Sequence, residues 1–459
     1  MIRNLVLRAP AAHRQSAAVA ARRALASVAA SRPSVPAHNH YRVVVVGAGT
    51  AGLAVAHQLG EVLKGDKLAI VDPSPVHYNQ PLWTFVGAGI KPFADSVRPT
   101  AHLIPSSFQW LPHAVARIDP TNQHVHLADR GTLSYDYLVV APGLTLRWDK
   151  ISGLAEAIAD PAESGVVSNY HADAVRSTWP AVQALKRGRA LFTMPSTPIK
   201  CAGAPQKIAY LAEEHWRQNG HNVAVTYLAG GPKIFAIDKY AAALTDVCKS
   251  RGIETRLGHE LVAVDASNRI ATFRRAADNE EVKLQYDLLH ATPQMAAPAF
   301  LADSQLTDAA GFVAVDRETL QHGTFPSVFA LGDASSVPTS KTAAAAAAQA
   351  PIAVANILAH MSGKALPARY DGYTSCPLVT GRKSLILAEF SGFTAQPMET
   401  FPVDQAVERA SMFHLTAHVL PEVYWHGLVN RGWWKGPKPV REWFAKWATA
   451  SDKVEKVAA

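Results

Sequence analysis

The residues of this 459-residue chain most able to do chemistry are its three cysteines, Cys201, Cys248 and Cys376. Three thiols do not make the even-numbered framework of a small disulfide-rich secreted domain. Cys201 follows Lys200 and stands just before a helix-forming stretch in TPIKCAGAPQKIAYL. A neighbouring cation and a helix N-terminus both stabilise a thiolate and lower its pKa. Cys376 lies in YDGYTSCPLVTGRK, read as a Gly/Pro-punctuated loop with Arg382 and Lys383 nearby. A reactive thiolate could pass an electron pair to a bound electron acceptor. A second thiol within reach could close a disulfide for an incoming nucleophile to open. Two buried, unreactive cysteines would leave the same spacing. Separation along the chain does not decide between these readings. Cys248, in the helical stretch YAAALTDVCKS, is expected to be a core or helix-face residue. His124 and His126 alternate on a strand without further ligand spacing, so no metal site is expected.

A second constellation could hold a cofactor. YRVVVV (41–46) is a short apolar strand, GAGTAG follows it, and a helix runs on through Leu53, Val55, Ala56 and Leu59. The next strand, KLAIVD, ends at Asp72. This is a βαβ unit with glycines at the strand-to-helix turn. Gly47 permits the tight turn, Gly49 lets the backbone approach a pyrophosphate, and Gly52 lets helix and strand pack closely. Thr50 and Ala51 open the helix, whose free N–H groups and dipole favour an anion. Asp72 is placed to accept hydrogen bonds from a ribose. Two later segments, YDYLVVAPG (135–143) and TFPSVFALGD (324–333), resemble segments shared by flavoproteins with two dinucleotide-binding domains. That resemblance implies FAD rather than NAD here, with Asp333 on the ribityl chain.

The elements that position these residues follow an α/β alternation. RALFTM (189–194) is a strand, a helix runs from about Gln206 to Trp216, and NVAVTYLAG (222–230) is another strand. The intervening PSTPIKCAGAPQK carries prolines and a cysteine in place of a glycine-rich phosphate loop, which argues against a nicotinamide site. The expected fold is therefore α/β, with two Rossmann-like domains and a C-terminal amphipathic, membrane-associating helical region. Expected boundaries are 1–38 for a leader, 39–164 and 291–370 for the two parts of an FAD-binding domain, 165–290 for the second Rossmann-like domain with Cys201, and 371–459 for the C-terminal region with Cys376.

Charge and composition narrow the partners. The chain is 48% hydrophobic and 18% charged, which excludes disordered and collagen-like classes. The formal net charge is +8, but residues 1–40 hold six arginines and no acid. The remainder, 39 Lys+Arg against 37 Asp+Glu, is nearly balanced, so no nucleic-acid partner is expected. The Arg-, Ala- and Ser-rich, acid-free start has the pattern of a mitochondrial transit peptide. The run AAAAAAQAPIAVANILA (343–359) reads as a buried helix rather than a membrane span. Near the C-terminus Trp425, Trp433, Trp434, Trp443 and Trp447 are interleaved with Arg431, Lys435, Lys438, Arg441 and Lys446. Val440, Trp443, Phe444 and Trp447 recur at helical spacing, and Met412, Leu415, Val419 and Val423 suggest a similar stripe. Aromatic rings with flanking cations suit a lipid headgroup layer.

Longer strings carry a more specific resemblance. NQPLWTFVGAGIK, TPIKCAGAPQKIAYL, VPTSKTAAAAAAQ, YDGYTSCPLVTGRKSLILAEF and YWHGLVNRGWWKGP resemble eukaryotic mitochondrial sulfide:quinone oxidoreductases across about residues 41–447. The resemblance implies that Cys201 and Cys376 are the redox pair, that Lys341 lies close to the flavin ring, and that Gln80 and Val115 meet FAD. It departs at Asp72, where Glu is common in the family. The implied chemistry begins with attack of hydrogen sulfide on a Cys201–Cys376 bridge, leaving a cysteine persulfide. The sulfane sulfur goes to a small acceptor such as sulfite, glutathione or cyanide, and two electrons pass through FAD to ubiquinone. The implied location is peripheral on the mitochondrial inner membrane. A type II NADH:quinone reductase would share the flavin fold and the tail, and a non-catalytic flavin-binding scaffold would share the fold without using the thiols.

Overall fold

The computed structural model describes residues 39–129 and 131–447. The expected leader, residues 1–38, lies outside the described residues. The chain opens with strand β1 (His40–Val46), helix α1 (Thr50–Val62) and strand β2 (Leu68–Val71). Strands β3 (Phe108–Leu111), β4 (Val115–Asp119), β5 (His124–Leu127) and β6 (Thr132–Val140) follow. The second half is built from β7 (Val166–Val167), β8 (Arg187–Met194), α2 (Ala204–Gln218), β9 (Asn222–Ala229), α3 (Asp238–Ser250), β10 (Glu254–Leu257) and β11 (Leu288–His290). The chain then returns with β12 (Val328–Ala330), helix α4 (Ala343–Met361) and a hairpin of β13 (Tyr373–Gly381) and β14 (Ser384–Ser391).

These elements form two halves, each built on parallel strands, with β4 and β5 joining the first sheet antiparallel. In the first, the order is β3-β2-β1-β6-β5-β4, with β12 also on β6. β1 pairs in parallel with β2 and β6 along its two edges, and Val43 and Val45 enter one apolar core while Val44 and Val46 enter another on the opposite face, so the run is buried. An uninterrupted valine run suits a strand with no solvent face. In the second half the order is β7-β11-β8-β9-β10, again parallel. Helix α2 and the β13–β14 hairpin share one apolar core, in which Ile208, Leu211, Leu378 and Leu387 pack with Cys376. The hairpin thus reaches the N-terminal end of α2. Helix α4 is long and apolar enough to cross a membrane by length and composition, yet half of that window is buried, against α1 and β13.

Two sequence expectations need correction. Cys376 is in strand β13, not a loop. Pro377 interrupts the sequence pattern, but a two-stranded ribbon has an unpaired edge where proline forfeits no ladder bond. The Met412–Val423 stripe does not form a single face. Leu415–Val419 and Val423–Leu428 are π-helical, which shifts the register away from 3.6 residues per turn. The buried side is instead Met412, Phe413, Ala417, Tyr424, Trp425 and Leu428, while Val419 is exposed.

Candidate active site

The cofactor loop joins β1 to α1. Gly47 has φ of +102°, and a Cβ there would lie 2.4 Å from the Ala141 carbonyl oxygen. A Cβ on Gly52 would lie 1.9 Å from the Gly47 carbonyl oxygen. Both positions therefore exclude a side chain. Gly49 is different, because a Cβ there would meet nothing within 4 Å. It faces open space at the start of α1, where Thr50 and Ala51 present N–H groups without intrahelical acceptors. Asp72 accepts hydrogen bonds from Ala48 N–H (2.6 Å) and Ser74 N–H (2.8 Å), so it braces the loop at the tip of β2. Burial raises its pKa against the lowering effect of those two bonds. An open glycine cradle, a helix N-terminus and a braced acid fit the pyrophosphate and ribose of a dinucleotide.

The second half positions the thiols. The Cys201 and Cys376 sulfurs are 3.4 Å apart, with Cys201 half-buried and Cys376 buried. A Cβ on Gly203 would lie 2.4 Å from the Cys376 sulfur, so the glycine is what lets that sulfur approach the start of α2. Lys207, one turn into α2 and buried, places Nζ 3.3 Å from the Cys201 sulfur. Cys201 itself has φ of +48°, a left-handed conformation costly for a residue with a Cβ. Three backbone hydrogen bonds hold it there. Its N–H donates to the Lys341 carbonyl (2.8 Å), and its carbonyl accepts from Ala204 N–H (2.8 Å) and from the Tyr170 hydroxyl (3.3 Å).

The electrostatics separate the two thiols. The hydrogen bond from Cys376 pulls the Cys201 pKa down; burial opposes it, and the Lys207 charge and the Gly203 N–H add to it. The Cys376 pKa is pushed up, first by that same shared proton and then by burial. Burial pulls the Lys207 pKa down, but the two sulfurs together push it higher, so it stays charged. When both cysteines are reduced, this field favours the thiolate at Cys201 over one at Cys376, beside a buried ammonium.

Three further ionisable groups, Lys200, Lys341 and Asp333, lie within electrostatic reach of one another near Cys201. Lys200 Nζ donates to Gln80 Oε1 (2.9 Å), and Lys341 Nζ donates to the carbonyls of Ser335 (2.6 Å) and Val337 (3.3 Å). Burial lowers the pKa of Lys200, and lowers that of Lys341 to about 8. Burial raises the Asp333 pKa, against the field of Lys200 and Lys341. Thr342 caps α4 and also hydrogen-bonds Thr374 (2.9 Å), two residues before Cys376. The α4 N-terminus and the cysteine strand are therefore tied together.

The structure brings the expected residues Cys201, Cys376, Lys341 and Gln80 into one connected set. Val115 lies at the start of β4, half-buried, and is joined to that set by no hydrogen bond described above. The cation expected beside Cys201 was Lys200, but its ammonium turns to Gln80 and Lys207 takes the sulfur instead. Arg382 does not serve Cys376 either; it donates to the Ala88 carbonyl and stacks over Trp179. Lys207, Gly203 and Tyr170 were missed. Lys207 and Gly203 lie inside CAGAPQK, where six- and two-residue offsets from Cys201 would have brought them to the helix start. Tyr170 had no such signal. Cys248 is buried in α3 beside Tyr210, whose hydroxyl is 3.7 Å from its sulfur.

The C-terminal tryptophans divide. Trp433, Trp443 and Trp447 are 55%, 59% and 54% exposed, whereas Trp425 is buried and donates to the Asp95 carbonyl. The helical stretch 438–447 is held to the body by Arg441–Asp371 (2.9 Å) and by Phe444 against Phe401.

The pyridine nucleotide-disulphide oxidoreductase family matches residues 41–184. A mitochondrial sulfide:quinone oxidoreductase of Mus musculus is 43% identical over 413 residues, covering 89% of this chain and 90% of the relative. The mitochondrial enzyme of the same name from Schizosaccharomyces pombe is 40% identical, covering 88% and 93%. The solved structure of the sulfide:quinone oxidoreductase of Aquifex aeolicus matches with a TM-score of 0.70 at 18% identity, over 86% of this chain and 92% of that one, a likeness of fold.

Proposed function

The chain belongs to the sulfide:quinone oxidoreductase family, and from that membership we propose that it runs sulfide oxidation through a Cys201–Cys376 disulfide, beside FAD and against a lipid surface. The enzyme is a mitochondrial flavoprotein that oxidises sulfide and reduces quinone. The observation that carries the finer reading is the 3.4 Å sulfur pair with Lys207 Nζ 3.3 Å from the Cys201 sulfur.

In the oxidised state the two sulfurs form one bond. Hydrosulfide attacks the Cys376 sulfur, forming a persulfide there and releasing Cys201 as a thiolate. The direction follows from the electrostatics, because a thiol of lower pKa leaves faster. Lys207 and the Gly203 N–H stabilise the sulfur that leaves. Flavin, when bound, supplies the two-electron acceptor that stands between thiol and quinone. The Gly47–Gly52 loop, Asp72, Asp333 and Lys341 would hold it. A small nucleophile, sulfite, glutathione or cyanide, takes the sulfane sulfur from Cys376 and frees that thiolate to close the disulfide again. Lys207 and Lys200 make the surroundings of the pair positive, which favours anionic hydrosulfide and sulfite.

The exposed Trp433, Trp443 and Trp447 with Lys438 and Lys446 favour docking on lipid, where a quinone is dissolved. This supports a peripheral position on the inner membrane. Anaerobic titration tests the central claim. Sulfide alone should bleach the flavin through a long-wavelength thiolate–flavin band, and NADH should not. Rapid bleaching by NADH with none by sulfide would overturn the reading. Deletion of residues 433–459 should move the enzyme from the membrane fraction to the soluble one.

A further inference from the structure

The C-terminal segment does more than lead toward the helix at 438–447. Tyr424, on the second π-helical turn, lies inside the first half of the molecule, beside the cofactor loop. Its hydroxyl is 2.8 Å from Thr50 Oγ1 and 2.7 Å from His77 Nε2. His77 Nδ1 is 2.9 Å from the Ala48 carbonyl oxygen. Tyr424 and His77 are both buried. Ala48 and Thr50 flank Gly49, the one glycine of the loop that faces open space.

The geometry also sets the direction of each bond. A carbonyl only accepts, so Nδ1 of His77 carries the proton. Burial holds the His77 pKa at about 4, so the ring is neutral at physiological pH and Nε2 is a bare acceptor. Tyr424 therefore donates to His77, and its oxygen accepts from the Thr50 hydroxyl. The Thr50 proton is engaged inward. A phosphate at this helix end must then be met by backbone N–H groups, with the Thr50 side chain acting as the pin that aims them.

The segment is seated around this pin. Trp425 donates to the Asp95 carbonyl (3.2 Å) and packs edge-on against His77. Further on, a Cβ at Gly432 would lie 2.9 Å from the His57 Cβ on α1, and one at Gly436 would lie 3.2 Å from the Ala348 Cα on α4. Residues 424–436 thus touch both α1, which starts at the glycine loop, and α4, which starts beside the cysteine strand.

We propose that Tyr424 and His77 are positioning residues for the cofactor's pyrophosphate, locking the Ala48–Thr50 loop from the C-terminal strap through a buried hydrogen-bond relay. The proposal rests on the FAD reading, since FMN has no pyrophosphate.

The test uses the full-length chain in detergent, stripped of flavin and titrated with FAD by fluorescence quenching and by thermal melting. Tyr424→Phe keeps the ring and removes one hydroxyl. It should weaken FAD binding about tenfold, the usual effect of orphaning one buried polar group. Thr50→Val should weaken it similarly, Thr50→Ser should restore it, and the double variant should be no weaker than either single one. The FAD-induced rise in melting temperature should shrink in Tyr424→Phe. Trp425→Phe, which removes the hydrogen bond to the Asp95 carbonyl but keeps an aromatic ring against His77 and leaves every hydrogen bond of the relay in place, should bind FAD as the parent does. The inference fails if Tyr424→Phe binds FAD within twofold of the parent. It also fails if its melting temperature drops equally with and without FAD, if the two single effects add, or if Trp425→Phe is as damaging. A parent chain that binds FMN as tightly as FAD would overturn the FAD premise itself, a result separable from those four.

Discussion

The molecule uses one local device twice. In each half a parallel strand runs into a turn, and a helix begins with its N–H groups facing a negative charge. In the β1–α1 crossing the proposed charge is that of a bound ligand, and the loop is glycine-rich with Gly49 looking onto open space. In the β8–α2 crossing the proposed charge is the protein's own Cys201 thiolate, which its surroundings favour. Gly203 there is already filled by the Cys376 sulfur, and Lys207 supplies the counter-charge. The crease beside it is closed as well, since Glu260 accepts from Ser196 N–H (2.7 Å) and its carboxylate would lie 1.9 Å from a Cβ on Gly230. The same strand-to-helix order, with a three-residue turn in one half and a nine-residue one in the other, would therefore serve a ligand or a redox pair, according to whether the space over the helix start is left empty or occupied by the chain itself.

The largest expected effect breaks one half without the other. Cys201→Ser and Cys376→Ser should each cut sulfide-driven flavin reduction by about four orders of magnitude or more, with the flavin spectrum retained. Stopped-flow reduction and the visible spectrum check both parts, and loss of flavin in either variant would mean that the halves are not separable. Next come the two glycines, exchanged one at a time. Gly203→Ala displaces the Cys376 sulfur and should slow reduction about a hundredfold while FAD still binds. Gly49→Ala should loosen FAD while thiol titration still finds the pair able to oxidise. If Gly203→Ala lost FAD instead, the contrast drawn between the turns would be wrong.

A smaller effect tests the counter-charge. A depressed thiol pKa leaves thiolate present at lower pH, so alkylation of the reduced enzyme by iodoacetamide should stay fast as pH falls below the ordinary thiol value of about 8.5. In Lys207→Met the midpoint should rise by about one unit or more. An unmoved midpoint would assign the depression to Cys376 and the helix end alone. The smallest effect is at Cys248. Cys248→Ser should leave the reduction rate unchanged and cost about 1 kcal/mol of stability in denaturant melts.

Local features of the site were legible in the sequence. The GAGTAG turn, the apolar run at 43–46 and Asp72 could be read because a βαβ turn is set by neighbours within about 30 residues. Cys201 could be marked as activated because a helix start was visible just beyond it. The cation was misassigned because adjacency in sequence says little at a turn: successive side chains diverge there, while Lys207 comes back over the sulfur after one helical turn. Cys376 was misread as a loop residue because Pro377 and the flanking glycines are turn markers in isolation, and only pairing with β14 leaves the proline on a free edge. The stripe from Met412 failed for a related reason, since π-turns cannot be told from α-turns by apolar spacing. The tryptophan cluster was read as one lipid-facing group, yet Trp425 is buried beside Asp95 and His77.

By itself the sequence determined the α/β class, the glycine turn between the first strand and helix, the helical place of Cys248 and the aromatic–basic character of the C-terminal end. These depend on residue type and short-range spacing, where backbone sterics and helix ends act directly. Only the tertiary structure decided that Cys201 meets Cys376, that Lys207 rather than Lys200 attends the sulfur, and that Tyr424 reaches Thr50. Each of those contacts is fixed by how a helix packs on a sheet and which way a side chain then points, and that direction is a property of the assembled core.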